Sequence, residues 1–359
     1  MDSSQERDIL LALSWLYRNR IRQSRELLRA YGTATEAWKH INEQGMNDAL
    51  KRAEEENAFI DRHHINVWTL EDESYPERLR NCPDAPIVVF SKGEVHPNRG
   101  KMVSIVGTRS CTERGKEQTR KFVLELAELL PDVTIVSGLA YGIDIAAHKA
   151  ALEAEIPTII VAGHGLDRIY PALHRNVAVA ALRQGGILTE YMSQTEPERY
   201  NFVARDRIIA GLADAVVVVE SAPKGGALIT AQMALDYSRA LFAFPGRVQD
   251  ETSRGCNQLI REQKAGLIEN ARDFVQAMMW EPADRILNVQ TEMVGLTEPL
   301  TEQEERLLNT LRQQEDGIHI NSLVVETQMP YSEVSSTLMM MELKGMVKGY
   351  PGGIYRALK

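Results

Sequence analysis

The chain has 359 residues, 44% hydrophobic and 25% charged, which is ordinary for globular proteins and excludes a collagenous or largely disordered chain. This length predicts two or three domains. The formal net charge of −9 by itself argues against a nucleic-acid partner, because most nucleic-acid-binding domains carry a basic surplus.

Residues 1–70 are predicted to form an N-terminal helical domain, since apolar residues recur there at helical spacing. In residues 71–280, short β-branched runs alternate with helical stretches. The predicted strands are residues 87–90, 102–106, 133–136, 158–162, 187–189, 215–219 and 240–244. Strands that alternate with helices predict an α/β fold with a mostly parallel, doubly wound sheet.

The last part of the chain is predicted to be a linker followed by a small domain. Residues 281–298 are weakly patterned and form the predicted linker. Residues 299–359 show three helical segments and a strand, glycine turn and strand, which predict a winged helix. The third helical segment offers acids and no base, whereas a helix that reads DNA needs hydrogen-bond donors. We therefore predict that this domain binds protein.

Three predicted strands run directly into glycine-containing loops that precede helices. In the first loop, Gly107 allows close approach of a ligand, Thr108 follows it, and Arg109 suits a phosphate or a guanine edge. We expect the helix after this loop to offer free N–H groups to an anion. Each loop alone also fits a simple tight turn.

The second and third loops repeat this pattern. Ser137 and the amides around Gly138 are candidate phosphate donors, and Lys224 stands before Gly225 and Gly226 in the third loop. Because the carboxyl ends of parallel strands meet at one edge of a sheet, the three loops are expected to converge there. Three such loops predict an extended ligand with several phosphates.

Residues 199–211 combine cations with aromatic rings. Arg199, Arg205 and Arg207 are interleaved with Tyr200 and Phe202, a composition that suits single-stranded nucleic acid. Taken alone, the segment is better explained as a solvated helix face with one buried ring.

Neither a metal nor a cofactor is predicted. Asp144 and His148 lie four residues apart, but two ligands are too few for a metal site, and a helix cap with a packed histidine is the favoured interpretation. The cysteines Cys82, Cys111 and Cys256 are scattered, which excludes a disulfide framework and fits a reducing cytosol. With an acidic first segment and no long apolar run, we expect a cytoplasmic protein without membrane contact.

From about residue 75 to residue 274 the chain resembles the DprA/Smf DNA-processing family. The motifs that carry the resemblance are Tyr75-Pro76, Val106-Gly107-Thr108-Arg109, Ser137-Gly138-Leu139-Ala140, Gly142-Ile143-Asp144 with Ala147-His148, Tyr170-Pro171, Phe202 with Arg205 and Arg207, Gly226 to Thr230-Ala231, Pro245-Gly246, and Gly255 with Asn257, Leu259 and Ile260. The resemblance implies an extended Rossmann domain, an N-terminal helical domain of SAM or helix-hairpin-helix type, and a C-terminal winged helix.

The resemblance further implies a recombination mediator that protects incoming single-stranded DNA and loads RecA recombinase onto it during natural transformation. The family's dimer forms through the Rossmann domain, and its Gly-x-Arg arginine, here Arg109, contacts DNA. The family usually has asparagine at Asp206 and serine at Gly225. The residues expected to bind DNA here are Gly107, Thr108, Arg109, Ser137, Gly138, Arg199, Phe202, Arg205, Arg207, Lys224, Gly225, Gly226 and Lys264.

The alternative function is that of a nucleotide hydrolase related to the LOG-type phosphoribohydrolases. Their signature Gly-Gly-x-Gly-Thr-x-x-Glu corresponds here to residues 225–232, where the glutamate is replaced by Gln232. An amide cannot act as a general base, so we expect a binding protein and not an enzyme. An NAD-dependent oxidoreductase is excluded because no GxGxxG motif is present.

Counting charge by segment reconciles the acidic chain with an anionic ligand. Residues 99–121 carry seven Lys and Arg against two acids, whereas residues 122–198 carry four against ten and residues 281–359 carry seven against twelve. Residues 199–272 carry ten against eight. The segments that bear the first and third loops are therefore basic within an acidic protein, which can attract a polyanion locally.

Overall fold

The computed structural model describes residues 3–281, 300–312, 317–344, 346–350 and 353–358. Its contacts divide the chain into two compact units, Met1–Asp284 and Arg285–Lys359. The predicted linker lies, apart from Glu281, outside the described residues. The predicted boundary at residue 70 falls inside the first unit and stays a prediction.

The first unit contains twelve α-helices among its described residues. They are α1 (Ser3–Leu16), α2 (Ile21–Tyr31), α3 (Ala34–His40), α4 (Met46–His63), α5 (Glu77–Arg80), α6 (Glu113–Leu129), α7 (Ile143–Glu153), α8 (Arg175–Ala181), α9 (Arg199–Leu212), α10 (Ala227–Asp236), α11 (Glu251–Arg261) and α12 (Ala271–Ala277). A short 3-10 helix, Ala172–His174, precedes α8.

Nine strands of this unit form one sheet. They are β1 (Asn66–Thr69), β2 (Val88–Gly93), β3 (Met102–Val106), β4 (Thr134–Ser137), β5 (Thr158–Val161), β6 (Gly185–Thr189), β7 (Ala215–Val218), β8 (Ala240–Ala243) and β9 (Gly266–Leu267). Their order in space is β1-β2-β6-β5-β4-β3-β7-β8-β9.

The sheet is parallel from β6 to β9, and β2 and β1 add two antiparallel strands at one edge. From β3 the chain first builds outward through β4, β5 and β6, and then returns to place β7 on the other side of β3. The change of direction between β3 and β7 is the topological switch point, where ligands of open α/β sheets bind. The predicted α/β fold is confirmed.

Alternating side chains of the strands supply two apolar layers. In β3, Val103 and Ile105 pack with Phe122 of α6, while Met102 and Val106 face a second cluster that includes Ile208 of α9. Burial on both faces explains why these strands read as continuous apolar runs in the sequence. The α-helices cover both faces, as a doubly wound sheet requires.

The four N-terminal α-helices pack against the antiparallel edge. Leu13 and Ala53 share a buried cluster with Phe90 of β2. The Glu56 carboxylate accepts hydrogen bonds from the Ser193 backbone N–H at 3.0 Å and from Arg52 Nη2 at 2.8 Å. These contacts tie the helical segment to the sheet within one unit.

The second unit is a winged helix. It comprises α13 (Glu302–Arg312), β10 (Ile318–His319), α14 (Ile320–Thr327), α15 (Tyr331–Leu343), β11 (Val347–Tyr350) and β12 (Ile354–Ala357). The strands are ordered β10-β12-β11, and Leu311, Leu323 and Leu338 are buried in its core. The predicted C-terminal winged helix is confirmed.

Candidate nucleic-acid interface

The glycine loops after β3, β4 and β7 meet at the switch point. A Cβ atom on Gly107 would lie 2.3 Å from Ile143 Cγ1, so only glycine allows this approach. The Thr108 backbone N–H donates to the Glu220 carbonyl at 2.8 Å, which joins the first loop to the third. Gly142 has φ +81°, and a Cβ there would lie 2.1 Å from the Thr108 carbonyl oxygen. The predicted convergence of the loops is confirmed.

An exposed cation and two aromatic rings lie together beside these loops. Arg109 is exposed, and its guanidinium carbon lies 5.6 Å from the centroid of the Phe202 ring. Tyr170 stacks on Phe202 with ring centroids 5.5 Å apart and an interplanar angle of 27°. Tyr170 is also exposed. A cation for phosphates next to rings for bases is the combination that binds single strands.

The first turn of α9 positions Phe202. A Cβ on Gly163 would lie 2.9 Å from Phe202 Cδ1, so the loop after β5 fits closely around the ring. Arg199 begins the same helix and is exposed. At a spacing of three residues, Arg199 and Phe202 share a face of the helix, which extends the basic and aromatic surface.

The third loop presents a free helix terminus. The N-cap of α10 is Gly226, which provides no capping side chain, and both Gly226 and the preceding Lys224 are exposed. Nothing lies within 4 Å of the position that a Cβ on Gly226 would take, so the space above it is open. An uncapped N-terminus with a lysine beside it favours an anion.

The expectation that the first loop offers an open helix terminus is wrong. The N-terminus of α6 is filled by the carboxylate of Glu220, which accepts from the Thr112 backbone N–H at 2.9 Å. The Thr112 hydroxyl caps the Gly115 N–H at 3.0 Å. The protein thus supplies its own anion at this terminus.

The hydrogen-bond donors of the second loop are also bound within the protein, whereas they were expected to bind phosphate. Ser137 is fully buried, and its hydroxyl donates to the Ile105 carbonyl at 2.6 Å. The Asp144 carboxylate accepts from the N–H groups of Gly138 at 3.2 Å and Ala140 at 3.3 Å. This placement gives Ser137 and Gly138 a part in shaping the loop.

Arg205 lies beneath the loop and not on its surface. The guanidinium is buried against Gly138, where a Cβ would lie 1.6 Å from Nη1, and this nitrogen donates to the Val161 carbonyl at 2.7 Å. Its Nε lies 3.1 Å from Asp206 Oδ1. Burial raises the pKa of Asp206 to about 6, although Arg205 acts in the opposite direction.

Arg207 and Lys264 lie apart from the loops. Arg207 is buried, forms an ion pair with Glu190 and donates to the Asp84 carbonyl. Two residues apart on a helix, Arg205 and Arg207 point to nearly opposite sides. Lys264 follows α11 and pairs with Glu262 at 2.9 Å. It precedes β9, whose Gly266 is paired with the middle of β8, so Lys264 is not at the carboxyl ends of the strands, where the loops meet.

The interpretation of His148 as a packed histidine agrees with its surroundings. His148 is fully buried with Nδ1 2.8 Å from Thr158 Oγ1, and burial lowers its pKa to about 3. Asp144 binds the preceding loop, as described above, while the N-cap of α7 is Gly142. Within the described ranges, no cluster of three or more His, Cys, Asp or Glu side chains could hold a metal ion.

Sequence reasoning did not assign a role to Tyr170. Its only signal was the Tyr-Pro pair in the loop after a predicted strand. The internal anions Glu220 and Asp144 were missed as well, although Glu220 stands two residues after the end of β7, where a carboxylate can reach a neighbouring loop.

The winged helix presents an acidic and apolar surface on α15. Glu333 and Glu342 lie on this helix, and Met339 and Met340 are exposed.

In the part of the chain that the structure describes, no helix is both long and apolar enough to span a bilayer.

Comparison with known proteins gives matches over both units. A family model described as DNA recombination-mediator protein A matches residues 66–279, and a model described as the DprA winged helix domain matches residues 293–353. Protein Smf of Synechocystis sp. is 36% identical over 329 residues, which cover 83% of this chain and 82% of that protein.

Two solved structures are also similar. The X-ray structure of DNA processing protein A from Streptococcus pneumoniae has a TM-score of 0.60 and 31% identity, covering 76% of this chain and 92% of that chain. DNA processing protein A from Helicobacter pylori, whose structure concerns its single-stranded DNA binding mode, has a TM-score of 0.54 and 31% identity, covering 60% and 97%. The chain belongs to the DNA recombination-mediator protein A family.

Proposed function

We propose that this protein binds single-stranded DNA along the loops at the switch point and acts there as a recombination mediator. The observation that carries the proposal is the exposed Arg109 guanidinium over Phe202, with Tyr170 stacked on the same ring. The single-stranded DNA binding of the Helicobacter pylori relative supports it.

In this proposal, exposed groups contact the strand and buried groups hold them in place. Phosphates bind Arg109, Arg199 and Lys224 and the open N-terminus of α10, while bases stack on the aromatic pair. Gly107, Thr108, Gly225 and Gly226 bring the backbone close to the strand. Ser137, Gly138 and Arg205 are positioning residues, and the predicted DNA contacts of Arg207 and Lys264 do not gain support from their placement.

The decisive experiment compares wild type with Arg109→Ala. Fluorescence anisotropy would measure the dissociation constant for a labelled oligonucleotide, single-stranded or duplex, at fixed salt. We expect wild type to prefer the single strand, and Arg109→Ala to weaken that binding by about 1–3 kcal/mol, roughly five- to 150-fold, if the contact is bidentate.

Arg62→Ala is the matched control. Arg62 is exposed on α4, so this substitution removes one positive charge at another place in the same unit. The control should bind like wild type. Equal affinity of wild type for single strand and duplex, or equal losses in both variants, would overturn the proposal.

We further propose that the bound strand is protected and passed to RecA recombinase during natural transformation. The protein would act in the cytoplasm as a homodimer through its Rossmann domain. RecA assembly on a protein-coated single strand, followed by its ATP hydrolysis, tests this step. Wild type should accelerate assembly and Arg109→Ala should not, and sedimentation should give twice the chain mass.

The winged helix is proposed to bind a protein partner and not DNA. The acids of α15, Glu333 and Glu342, repel phosphates, and its exposed methionines suit an apolar protein surface. Charge-reversing lysine variants of both glutamates should leave the wild-type affinity for single strands unchanged within twofold, which the same anisotropy measurement checks.

We propose that the protein acts by binding and not by catalysis. At the position of the hydrolase glutamate, the Gln232 amide donates to Asp236 at 2.9 Å. Incubation with nucleoside monophosphates should release no free base, and measurable release would favour the hydrolase function.

A further inference from the structure

Four arginines line a cleft between α2 and α5, remote from the glycine loops. Arg22, Arg25 and Arg29 recur on α2 at spacings of three and four residues, which places them on one face. Arg80 ends α5. The cleft has a volume of about 570 Å³, and Glu26 is its one lining carboxylate among the described residues. We refer to it as the arginine cleft.

Among the residues that the structure describes, no carboxylate forms an ion pair with the buried cation Arg25. Its side chain is only 6% exposed, and the guanidinium donates to the backbone carbonyls of Cys82 and Arg80. Its Nε has no hydrogen-bond partner. Burial, together with the nearby Arg29 charge, lowers the pKa of Arg25. A buried charge that is neither paired nor fully hydrogen-bonded is costly, so this site gains most from an incoming anion.

The other arginines add charge without neutralising it. The Arg80 guanidinium lies 5.6 Å from the centroid of the Tyr75 ring and donates to the Asp72 backbone carbonyl, and its Nε is also unpartnered. Arg22 and Arg29 are exposed. Like charges four residues apart, as at positions 25 and 29, destabilise an isolated helix, and a bound anion would relieve this repulsion.

We propose that the arginine cleft binds a phosphate-bearing anion. Guanidinium groups bind phosphate through paired hydrogen bonds, and the cleft volume falls in the range of small-ligand sites. The cleft is separate from the proposed DNA interface: Phe202 lies at the start of α9, whereas Cys82 packs against Gly211 near the end of that helix. These two positions are nine residues apart, which corresponds to about 13 Å along the helix.

The test is calorimetric titration of the full chain with pyrophosphate. The variant R22Q/R29Q removes two exposed charges from the cleft and leaves the buried Arg25 in place. The control K51Q/R62Q removes the same charge from exposed positions of α4. We expect wild type and control to bind pyrophosphate alike, and R22Q/R29Q to bind at least tenfold more weakly.

A second arm uses Arg109→Ala, in which the proposed DNA interface is impaired. If a single-stranded oligonucleotide displaces pyrophosphate from this variant, the ligand of the arginine cleft is nucleic acid. If only nucleoside diphosphates displace it, the ligand is a free phosphorylated molecule. No binding of pyrophosphate to wild type, or equal binding to R22Q/R29Q, would overturn the proposal. Neither result depends on whether the glycine loops bind DNA.

Discussion

Because Gly138 has no side chain, the guanidinium of Arg205 can lie buried against its backbone. The guanidinium occupies the space that a Cβ would need and is held there by the Val161 carbonyl and by Asp206. Arg205 in turn lies 5.9 Å below the Phe202 ring. The exposed aromatic surface therefore rests on a buried cation.

Gly138→Ala should destabilise the fold. The new methyl group would displace the Arg205 guanidinium from its buried position, with a loss of about 1–3 kcal/mol in the free energy of unfolding, the range for overpacked cores. Gly226→Ala is the control, since no atom lies within 4 Å of its added carbon. Urea denaturation measures both variants, and equal stability of the two would contradict this account.

Asp206 should make single-strand affinity depend on pH. Its pKa is raised to about 6 by burial, with Arg205 and Arg109 opposing this shift and Asp144 adding to it. As pH falls through about 6, protonation removes a negative charge beside the proposed phosphate contacts, so binding should strengthen. Affinity measured from pH 5 to 7.5 should show this trend in wild type and a weaker one in Asp206→Asn.

Although Asp206 pairs with Arg205, burial outweighs the pairing, so its pKa shift affects stability with the opposite sign to that usual for a salt-bridged carboxylate. Between about pH 4 and 6 the folded state holds more protons on Asp206 than the unfolded chain does, so its contribution to stability is lost as pH rises through this window. An identical pH dependence of affinity in wild type and Asp206→Asn would exclude Asp206 as the titrating group.

At the scale of elements, two neighbouring helices differ in how their N-termini are satisfied. The terminus of α6 is closed by Thr112 and Glu220, and that of α10 is open at Gly226. At α10 no side chain caps the terminus, and the N–H groups of Leu228 and Ile229 donate to the backbone carbonyls of Gly225 and Gly226. One carboxylate at the end of β7 accounts for the difference.

Glu220→Gln should weaken the closed terminus. The amide loses the charge that receives two hydrogen bonds from Thr112, which should lower the free energy of unfolding by about 1–3 kcal/mol. Glu113→Gln is the control, because Glu113 is an exposed first-turn residue of α6 paired with Lys116, and exposed pairs contribute little. Equal denaturation midpoints would show that Glu220 does not stabilise α6.

The sequence predicted buried elements better than edge elements. Strands such as β3 are buried on both faces, so their apolar runs mark them within a residue or two. The edge strands β1 and β9 are short and partly exposed, and their pattern does not distinguish them from loops. The antiparallel pairing of β2 with β6 depends on partners about a hundred residues apart, which no local pattern contains.

The same limit applies to the site. The close approach at Gly107 was predictable because a glycine directly after a strand has a local geometric reason. The pairing of Arg207 with Glu190 was not, since it joins a helix to a strand end, although the two-residue spacing from Arg205 already indicated opposite helix faces. The arginine cleft combines α2 with Arg80, more than fifty residues away.

For the whole molecule, the net charge of −9 restricts where a polyanion can bind. Because the chain as a whole is acidic, non-specific attraction of a polyanion is weak, and we expect binding to depend on a few local cations. An acidic chain of this kind should bind single strands with a moderate salt dependence, in contrast to uniformly basic proteins.

The salt dependence of single-strand binding follows from the number of cations that contact phosphates. Three exposed cations at the interface, Arg109, Arg199 and Lys224, predict a slope of about −2 for log K against log salt concentration on single strands. Lys224→Ala should reduce its magnitude by about 0.7. Arg62→Ala should not change it. A slope several-fold steeper, or an unchanged slope in Lys224→Ala, would place the phosphate contacts elsewhere.

The carboxylates built into the first two loops also determine which ligands can compete. Because Glu220 and Asp144 already occupy the backbone donors there, a lone phosphate or a mononucleotide finds a single open helix terminus and gains one weak contact. In the proposed binding mode, a continuous strand would reach that terminus, the exposed arginines and the aromatic pair at once, and each contact would raise the effective concentration of the next. Avidity along a polymer would then favour DNA over soluble nucleotides at these loops.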